Sequence, residues 1–349
     1  MATMVERTRN NAVFPNATDN DTVQEPIPHA STTQPLSGQV HLCSAEDGFA
    51  SPPSHPPASL ANGSHGHSTG YLRGASGHPI FYNCWRPGVH PRGTVLILHG
   101  LGEHGGRYRH LVAALLRAGY AVYAHDHHGF GRSGGPRAYV HAFRDYLIDV
   151  TQVLSMARHR EPGLPCCLYG HSMGGLLGLL YLMETPGAVD MAVIASPSLQ
   201  PQSLSLINRL LKAILVTLHH ARPTLTFRQR GSLDVLTRDW EEVQNALKDS
   251  LGVRHRSARW VVEFFRVTQE VRERAGEVTV PILMMQGLAD AVVSPAATQA
   301  FFSHTQSADK TLRLYDGYFH ELHNDLGRER PLSAVIDWLD ARCRATSLP

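Results

Sequence analysis

Short apolar runs alternate with longer amphipathic segments along most of the chain, starting near residue 79. A short apolar run rich in β-branched residues is typical of a strand buried on both faces, and apolar positions three and four apart predict a helix. Strands are predicted at residues 79–85, 93–99, 121–124, 166–169, 191–195, 281–285 and 311–315, and helices at 108–118, 143–157, from 173 onward and at 331–342. This alternation predicts an α/β fold, a mostly parallel central sheet with helices on both faces.

The alternation is interrupted between about residues 197 and 278, where every segment has helical spacing. Apolar residues between positions 204 and 218, Leu211 and Leu215 among them, fall on one helical face. Residues 240–247 and 258–271 also have helical spacing. Because this stretch lies between two predicted strands, we expect a wholly helical insertion that forms a cap over the sheet.

The first 70 residues differ in composition from the rest of the chain. They are rich in Ser, Thr, Pro, Asn and His and contain no Tyr or Trp. Such a segment cannot bury enough apolar area to offset the entropy lost on ordering. We therefore predict a disordered, low-complexity tail over residues 1–70 and one folded domain over 71–349. Length alone would have suggested about two domains.

Composition and charge exclude several classes of protein. The chain has 32 Lys and Arg residues against 30 Asp and Glu, and a net charge of +2 gives no reason to expect a nucleic-acid partner. No apolar run approaches the ~18 residues of a membrane-spanning helix. No signal peptide is recognisable, so we expect a cytoplasmic protein. Five cysteines do not form a disulfide framework in a chain this long, and adjacent Cys166 and Cys167 should be core thiols on opposite faces of a strand.

The strongest chemical signal is the pattern G-H-S-M-G at residues 170–174, directly after a predicted strand and at the start of a predicted helix. A G-x-S-x-G pattern in this context predicts a sharp turn that raises the Ser172 hydroxyl above the edge of the sheet as a nucleophile. The Met173 amide would then lie at the N-terminus of the helix, where it can stabilise an oxyanion.

A nucleophilic serine needs a base and a group that orients the base. In hydrolases with this motif, the acid and then the histidine follow in loops after later strands. Asp290 follows the predicted strand 281–285, and His320 follows the strand 311–315. Asp316 is the rival acid and His323 the rival base, and we favour Asp290 and His320 over them.

The second oxyanion donor should come from the glycine-rich loop that starts at His99. Leu101 is placed to donate its backbone amide, with Gly100 and Gly102 allowing a tight turn. In the loop after the next strand, Asp126 is expected to bond nearby backbone amides. The 22 histidines show no zinc-binding spacing, so we expect neither a metal nor another cofactor.

Taken together, these motifs resemble those of a known family. The sequences HGLGEH at 99–104, GHSMGG at 170–175, GLAD at 287–290 and HELHN at 320–324 are similar to those of monoacylglycerol lipases and, more broadly, of the lysophospholipase-like, serine aminopeptidase S33 branch of the α/β-hydrolases. The resemblance extends from about Gly74 to about Ala345. Two positions depart from the family pattern. His128 stands where the family commonly has Arg, and Trp240 stands where the cap commonly has Pro, which could reshape the pocket entrance.

The resemblance implies an α/β-hydrolase with Ser172 as nucleophile, Asp290 as acid and His320 as base, and an oxyanion hole formed by the Leu101 and Met173 amides. The cap would be a lid for one acyl chain. The positions expected to contact substrate are Gly100, His171, Leu211 and Leu215.

The expected reaction is hydrolysis of a single-chain carboxylic ester, first of all a monoacylglycerol. The alternatives are a general carboxylesterase, a lysophospholipase and, more remotely, a non-catalytic lipid-binding protein. The expected partner is the lipid ester itself. Transient contact of the cap with a membrane interface is also predicted, and no obligate protein partner is expected.

Overall fold

A central eight-stranded sheet organises the domain. The computed structural model describes residues 66–75, 77–202, 220–228 and 232–343. Their strands are β1 (Gly66–Arg73), β2 (Pro79–Arg86), β3 (Thr94–Leu98), β4 (Ala121–His125), β5 (Cys166–His171), β6 (Met191–Ala195), β7 (Thr226–Arg228), β8 (His255–Ser257), β9 (Ile282–Gly287) and β10 (Lys310–Tyr315). Their α-helices are α1 (Arg109–Arg117), α2 (Asp145–Arg160), α3 (Met173–Glu184), α4 (Trp240–Lys248), α5 (Ala258–Glu273), α6 (Pro295–His304) and α7 (Glu329–Cys343).

The strand order across the sheet is β1-β2-β4-β3-β5-β6-β9-β10. Strands β1 and β2 pair antiparallel with each other, and β2 pairs antiparallel with β4. All other neighbours are parallel, so the carboxyl ends of β3, β5, β6, β9 and β10 meet at one edge of the sheet. The predicted α/β fold with a mostly parallel sheet is therefore confirmed.

Alternate residues of each central strand pack into two separate cores, one on each face of the sheet. Leu96, Leu98 and Cys166 belong to one cluster, whereas Val95 and Cys167 belong to the other. This alternation is the period of two expected for a strand, and it confirms that the adjacent cysteines are buried on opposite faces. The continuous apolar runs that predicted these strands exist because helices cover both faces.

The first strand, β1, was not predicted, and the predicted domain boundary near residue 70 falls inside it. The strand has no buried apolar face except at Leu72, so it leaves no period-two signal in the sequence. It is held instead by pairing with β2 along its full length. His67, which was assigned to the tail, stacks on Trp85 and contacts the Asn83 side chain at 3.2 Å.

The cap segment is not wholly helical, so that prediction was wrong. Strands β7 and β8 pair antiparallel within it, in addition to helices α4 and α5. Each of these strands has only three residues, too few for a periodic pattern to be detected. The predicted apolar helix at 204–218, with Leu211 and Leu215, lies outside the described residues. Among the described residues, none of the helices combines the length and the apolar composition that a membrane span requires.

A buried carboxyl group joins α2 to the turn between β1 and β2. Asp149 is only 1% exposed, and its Oδ1 accepts a hydrogen bond from the Ala75 amide at 2.9 Å. Its Oδ2 has no partner among the described residues. Burial raises the pKa of Asp149 from an ordinary value of 3.8 to about 7, because the charged form has lost its hydration.

This carboxyl group should make stability depend on pH in a defined direction. The neutral Asp149 side chain contributes to the free energy of unfolding. This contribution is fully present below the unfolded pKa of 3.8 and is lost as the pH rises through the native pKa of about 7. We expect Asp149→Asn, which stays neutral, to be more stable than the native sequence by an amount that grows between about pH 4 and 7, reaches a few kcal/mol and then levels off. Thermal unfolding across this range measures the difference. The exposed Asp316→Asn is the matched control, and equal curves for Asp149→Asn and the native protein would contradict the assignment.

Candidate active site

Ser172 occupies the turn between strand β5 and helix α3 with an unusual backbone conformation. Its φ of +53° and ψ of −115° lie in a region that residues with a side chain rarely adopt. Two backbone hydrogen bonds hold it there. The Ser172 amide donates to the Ala195 carbonyl at 3.1 Å, and the Ser172 carbonyl accepts from the Ser198 amide at 3.0 Å. Both partners belong to β6 or to the loop that follows it.

The glycines that flank Ser172 are required by close backbone contacts. A Cβ atom at Gly170 would lie 2.5 Å from the Gly174 carbonyl oxygen, and one at Gly174 would lie 2.0 Å from the Leu98 carbonyl oxygen. Helix α3 therefore begins directly against strand β3. This packing explains the two glycines of the G-x-S-x-G pattern, since neither position 170 nor position 174 has room for a side chain.

The loops after β9 and β10 bring a carboxylate and an imidazole to the same place. Ser172 Oγ lies 2.9 Å from His320 Nε2, and His320 Nδ1 lies 2.8 Å from Asp290 Oδ2. All three residues are buried, with exposed fractions of 7%, 2% and 2%. Gly287 allows the two loops to meet, because a Cβ there would lie 2.4 Å from the carbonyl oxygens of Tyr318 and Phe319.

The Asp290 carboxylate is fully hydrogen-bonded on its protein side. Its Oδ1 accepts from the amides of Val292 at 2.8 Å and Val293 at 3.0 Å, and its Oδ2 accepts from Gln286 Nε2 at 2.9 Å. Burial by itself would raise the pKa of Asp290, but the charge and hydrogen bond of His320 and these amides hold it below its ordinary value. The group is therefore ionised at neutral pH.

The pKa of His320 is shifted in the opposite direction to that of Asp290. Burial by itself would lower its pKa, but attraction to Asp290 and the hydrogen bond between them raise it above 6.5. The protonated imidazole is stabilised, while Nδ1–H is directed at the carboxylate and Nε2 faces the Ser172 hydroxyl. This arrangement can accept a proton from Ser172 and return it.

The two rival residues lie elsewhere. Asp316 is exposed in the turn after β10. His323 is buried and stacks on Tyr108 with 4.5 Å between the ring centres, and neither of its ring nitrogens has a hydrogen-bond partner among the described residues. Burial holds its pKa well below 6.5, so the ring is neutral.

The glycine-rich loop after β3 lies beside Ser172. Leu101 lines the cavity above Ser172, and the Met173 amide lies at the N-terminus of helix α3. The Gly100 amide is already used, since it donates to Glu103 Oε1 at 2.6 Å and to the Tyr108 hydroxyl oxygen at 3.0 Å. Gly100 therefore contributes backbone shape to the cavity, and its amide is not available to a substrate.

His171 also lines the cavity, but both of its ring nitrogens contact protein atoms. Nδ1 lies 3.1 Å from the Tyr108 hydroxyl oxygen, and Nε2 lies 3.3 Å from the His320 carbonyl oxygen. These contacts make His171 a support for the loop that carries His320. The sequence predicts that His171 contacts substrate, and a polar contact between its ring and a substrate would require one of these bonds to break.

A buried ion-pair network behind the loop was not predicted. Arg107 lies 3.2 Å from Glu103 and 3.1 Å from Glu321, and Glu103 accepts a hydrogen bond from the Tyr108 hydroxyl at 2.6 Å. Burial by itself would raise the pKa of Glu103, but its hydrogen bond with His171 and attraction to Arg107 hold the pKa well below its ordinary value. The feature of the sequence that could have indicated this network is Glu103, a charged residue within a glycine-rich loop after a buried strand.

The predicted role of Asp126 matches its contacts. Its two carboxylate oxygens accept from the amides of Gly105 at 2.9 Å and Arg132 at 2.8 Å, which ties the loops after β3 and β4 together. Nearby His99, His125 and His127 are fully buried, and burial lowers their pKa values, to about 3 for His125. Within the described ranges, no group of three or more potential ligands could hold a metal ion.

The cap is joined directly to the glycine-rich loop after β3. The Val253 amide donates to the Gly102 carbonyl at 2.8 Å, and His104 Nε2 lies 2.9 Å from Asp249 Oδ2. Gly102 has a φ of +81°, and a Cβ there would lie 2.7 Å from the Val253 carbonyl oxygen, so only glycine fits.

Between the cap and the sheet lies a cavity of about 410 Å³ that reaches Ser172 and His320. Its apolar walls include Leu233, Val235, Leu236, Phe264, Phe265 and Val293. This is the size and character of a small-ligand site. Trp240, predicted to affect the entrance, is 65% exposed on helix α4.

Comparison with known proteins decides the family. The sequence profile of the serine aminopeptidase S33 family (Hydrolase_4) matches residues 89–327. The chain belongs to this family. Most of the sheet and the whole Ser172–His320–Asp290 arrangement fall within the matched residues. The resemblance predicted from the motifs is therefore confirmed.

Individual members of the family are similar over most of the chain. The monoacylglycerol lipase of Mycolicibacterium smegmatis is 31% identical over 268 residues, which cover 76% of this chain and 94% of that protein. The monoglyceride lipase of Homo sapiens is 33% identical over 261 residues, which cover 73% of this chain and 84% of that protein. The crystal structure of the Paleococcus ferrophilus monoacylglycerol lipase superposes with a TM-score of 0.67 at 27% identity. The superposition covers 74% of this chain and 98% of that chain. The α/β-hydrolase fold is thus confirmed.

The packing at the turn of this S33 protein gives a direct test. We expect Gly174→Ala to yield insoluble protein or to lose about 3 kcal/mol of stability or more, because the new Cβ would overlap the Leu98 carbonyl and the backbone has no space to move. Gly276→Ala, whose Cβ would meet no atom closer than 3.9 Å, is the control. Denaturant unfolding measures both variants. A Gly174→Ala protein as stable as Gly276→Ala would refute the packing described here.

Proposed function

We propose that this protein is a serine hydrolase that cleaves monoacylglycerols into glycerol and a fatty acid. The observation that carries the proposal is the continuous hydrogen-bonded series from Ser172 Oγ through His320 to Asp290, with distances of 2.9 and 2.8 Å. The apolar cavity above Ser172 and the monoacylglycerol lipases among the relatives support the substrate class.

In the proposed reaction, His320 Nε2 takes the Ser172 proton while Oγ attacks the ester carbonyl carbon. The amides of Leu101 and Met173 hold the negative oxygen of the tetrahedral intermediate, and loss of one such donor typically costs about 3 kcal/mol. His320 then gives its proton to the departing glycerol oxygen. Asp290 keeps the imidazole in the required tautomer and stabilises its charged form.

A water molecule completes the cycle. His320 removes a proton from the water as its oxygen attacks the acyl carbon, and the second tetrahedral intermediate releases the fatty acid when Ser172 Oγ leaves and is protonated. The neutral alcohol product and the long apolar acyl group need no charged partner in the cavity. The apolar walls described above are suited to that chain.

The cavity supports ester hydrolysis better than aminopeptidase activity, in spite of the family's name. An aminopeptidase needs a carboxylate that is free to bind the substrate's ammonium group. The carboxylates that line the described part of the cavity are already paired: Glu103 and Glu321 with Arg107, and Asp249 with His104. Binding an ammonium group there would require breaking a buried ion pair or, at Asp249, a hydrogen bond, which is costly.

The proposed roles predict the effects of single substitutions. We expect Ser172→Ala, His320→Gln and Asp290→Asn each to lower kcat for monoacylglycerol hydrolysis by about a thousand-fold or more while the protein remains folded. Release of fatty acid from a monoacylglycerol measures the rate. Ser303→Ala and His304→Gln, both on the exposed end of helix α6, are matched controls. Substantial activity in Ser172→Ala, or a native protein inactive on every monoacylglycerol tested, would refute the proposal.

We also propose that the cap makes transient contact with lipid surfaces. Trp240 and Leu247 are 65% and 46% exposed, and their spacing of seven residues puts them on the same face of helix α4. Exposed Trp and Leu side chains on an amphipathic helix are suited to the interfacial region of a bilayer. The predicted apolar helix at 204–218 belongs to the same cap segment but lies outside the described residues.

This second proposal is tested with phosphatidylcholine vesicles. We expect the double substitution of Trp240 and Leu247 by Ser to lower vesicle binding at least ten-fold. Full burial of one apolar side chain contributes roughly 1.5–3 kcal/mol, and even its partial loss at two positions exceeds the ~1.4 kcal/mol of a ten-fold change. Val89→Ser is the matched control, because Val89 is 68% exposed and precedes β3 at the opposite edge of the sheet. Co-sedimentation measures the bound fraction. Equal binding of the double variant and Val89→Ser would exclude α4 as the contact.

A further inference from the structure

A second hydroxyl group faces the candidate nucleophile. Ser198 Oγ lies 3.2 Å from Ser172 Oγ and lines the same cavity. Neither the motifs nor the Ser–His–Asp order pointed to Ser198, which follows strand β6 within the segment S-P-S-L. The distance is longer than that of an optimal hydroxyl hydrogen bond, as is common at active sites without substrate.

The backbone fixes Ser198 in this position from both sides. Its amide donates to the Ser172 carbonyl at 3.0 Å, so the two residues are joined by a main-chain and a side-chain contact. Further along, the Gln202 amide donates to the Val292 carbonyl at 3.0 Å. The segment after β6 thus connects the turn that carries Ser172 with the loop that carries Asp290.

Sheet order determines the direction from which Ser198 approaches. Strand β5, which leads to Ser172, lies between β3 and β6. The oxyanion loop, which is the glycine-rich loop that carries the proposed donor Leu101, follows β3, whereas Ser198 follows β6. Ser198 therefore approaches Ser172 Oγ from the side opposite the oxyanion loop. Its hydroxyl is positioned to act on Oγ itself and not on the substrate's carbonyl oxygen.

The donor in the Ser198–Ser172 contact follows from the neighbouring groups. Because the Asp290 carboxylate accepts from His320 Nδ1, the neutral His320 presents the lone pair of Nε2 to Ser172. The single proton of the Ser172 hydroxyl is then donated to Nε2. Ser198 must be the donor, and a lone pair of Ser172 Oγ the acceptor.

We propose that Ser198 is a further catalytic residue, which stabilises Ser172 Oγ as the leaving group when the acyl-enzyme is hydrolysed. This inference rests on the serine hydrolase function proposed above. In that step the bond between the acyl carbon and Oγ breaks, and Oγ keeps the bonding electron pair. The Ser198 hydroxyl hydrogen bonds to Oγ as this negative charge develops, until the proton from His320 neutralises it.

The same hydrogen bond has a different effect on the first half of the reaction. When Ser172 attacks the ester, its Oγ must supply an electron pair to the carbonyl carbon. Before this attack the Ser172 hydroxyl oxygen already accepts the hydrogen bond from Ser198, whereas in the acyl-enzyme Oγ is an ester oxygen and a weaker acceptor. The hydrogen bond therefore strengthens less on the way to the acylation transition state than on the way to the deacylation transition state. Ser198 should therefore affect the two half-reactions unequally, whereas a merely structural role would slow both together.

Two measurements separate the half-reactions. At a saturating p-nitrophenyl ester, the fraction of enzyme that is acylated equals the acylation rate constant divided by the sum of the acylation and deacylation rate constants. Rapid acid quench followed by intact-protein mass spectrometry gives this fraction, and it yields both rate constants when combined with kcat. A fluorophosphonate, which reacts with Ser172 without turnover, gives an independent rate of attack.

For Ser198→Ala we expect deacylation to slow about three- to ten-fold, the effect of losing one hydroxyl hydrogen bond. Acylation and the fluorophosphonate reaction should be slowed much less than deacylation, so the acylated fraction rises. Ser198→Thr keeps a hydroxyl and should resemble the native protein, whereas Ser198→Val, of nearly the same shape as Thr, should resemble Ser198→Ala. The exposed Ser333→Ala is the control.

The proposal is overturned if Ser198→Ala slows both half-reactions equally, if it leaves deacylation unchanged, or if Ser198→Thr and Ser198→Val behave alike. These results are distinct from failure of the proposed function. If Ser172→Ala still formed an acyl-enzyme, the nucleophile would be misassigned. If Ser172→Ala formed none and the Ser198 variants matched the native protein, only the role of Ser198 would be refuted.

Discussion

The site depends on one backbone constraint, the positive φ of Ser172 at the junction of β5 and α3. A side-chain-bearing residue held in a sparsely populated conformation costs about 1–3 kcal/mol. Here the cost is offset by contacts on three sides: hydrogen bonds to the β6 segment, the close approach of Gly174 to β3, and the burial of helix α3 in the core. The constraint raises Oγ above the sheet edge, where the loops after β9 and β10 supply Asp290 and His320.

The polar groups behind this turn are buried, and each charged group has an ion-pair or hydrogen-bond partner. Arg107 pairs with both Glu103 and Glu321, and Asp290 receives hydrogen bonds from His320 and from two amides. Burying an unpaired charge would cost several kcal/mol, so these pairs are needed for the loops to pack at all. A consequence for function is that the loop carrying Leu101 is fixed by its neighbours, including the cap through Gly102 and Val253. Preorganised amides lose no energy to rearrangement when the oxyanion forms.

The sequence was informative where a local pattern reflects local physics. Strands such as β3 and β6 could be predicted because both faces are buried and the apolar run is continuous. Ser172 could be predicted from the glycine pattern around it, and Asp290 and His320 from their order in loops after predicted strands. Strand β1 could not be, because it depends on pairing with β2 and has almost no buried face. Helix α6 also escaped prediction, although Ser294 caps its N-terminus and Pro295 opens it. Glu103 acquires its importance from side-chain contacts within its own loop, and Ser198 from a contact with Ser172, 26 residues earlier. No periodic pattern encodes either of them.

The central claim, that the constrained Ser172 carries the acyl group, can be tested directly by locating the acyl-enzyme. The native protein is mixed briefly with a long-chain monoacylglycerol or nitrophenyl ester, quenched in acid, digested and examined by mass spectrometry. The account predicts an acyl mass increment on the peptide that contains Ser172, assigned to that residue by fragmentation. The increment should be lost in Ser172→Ala. An increment on another residue, such as Ser198, or turnover without acylation of Ser172, would contradict it.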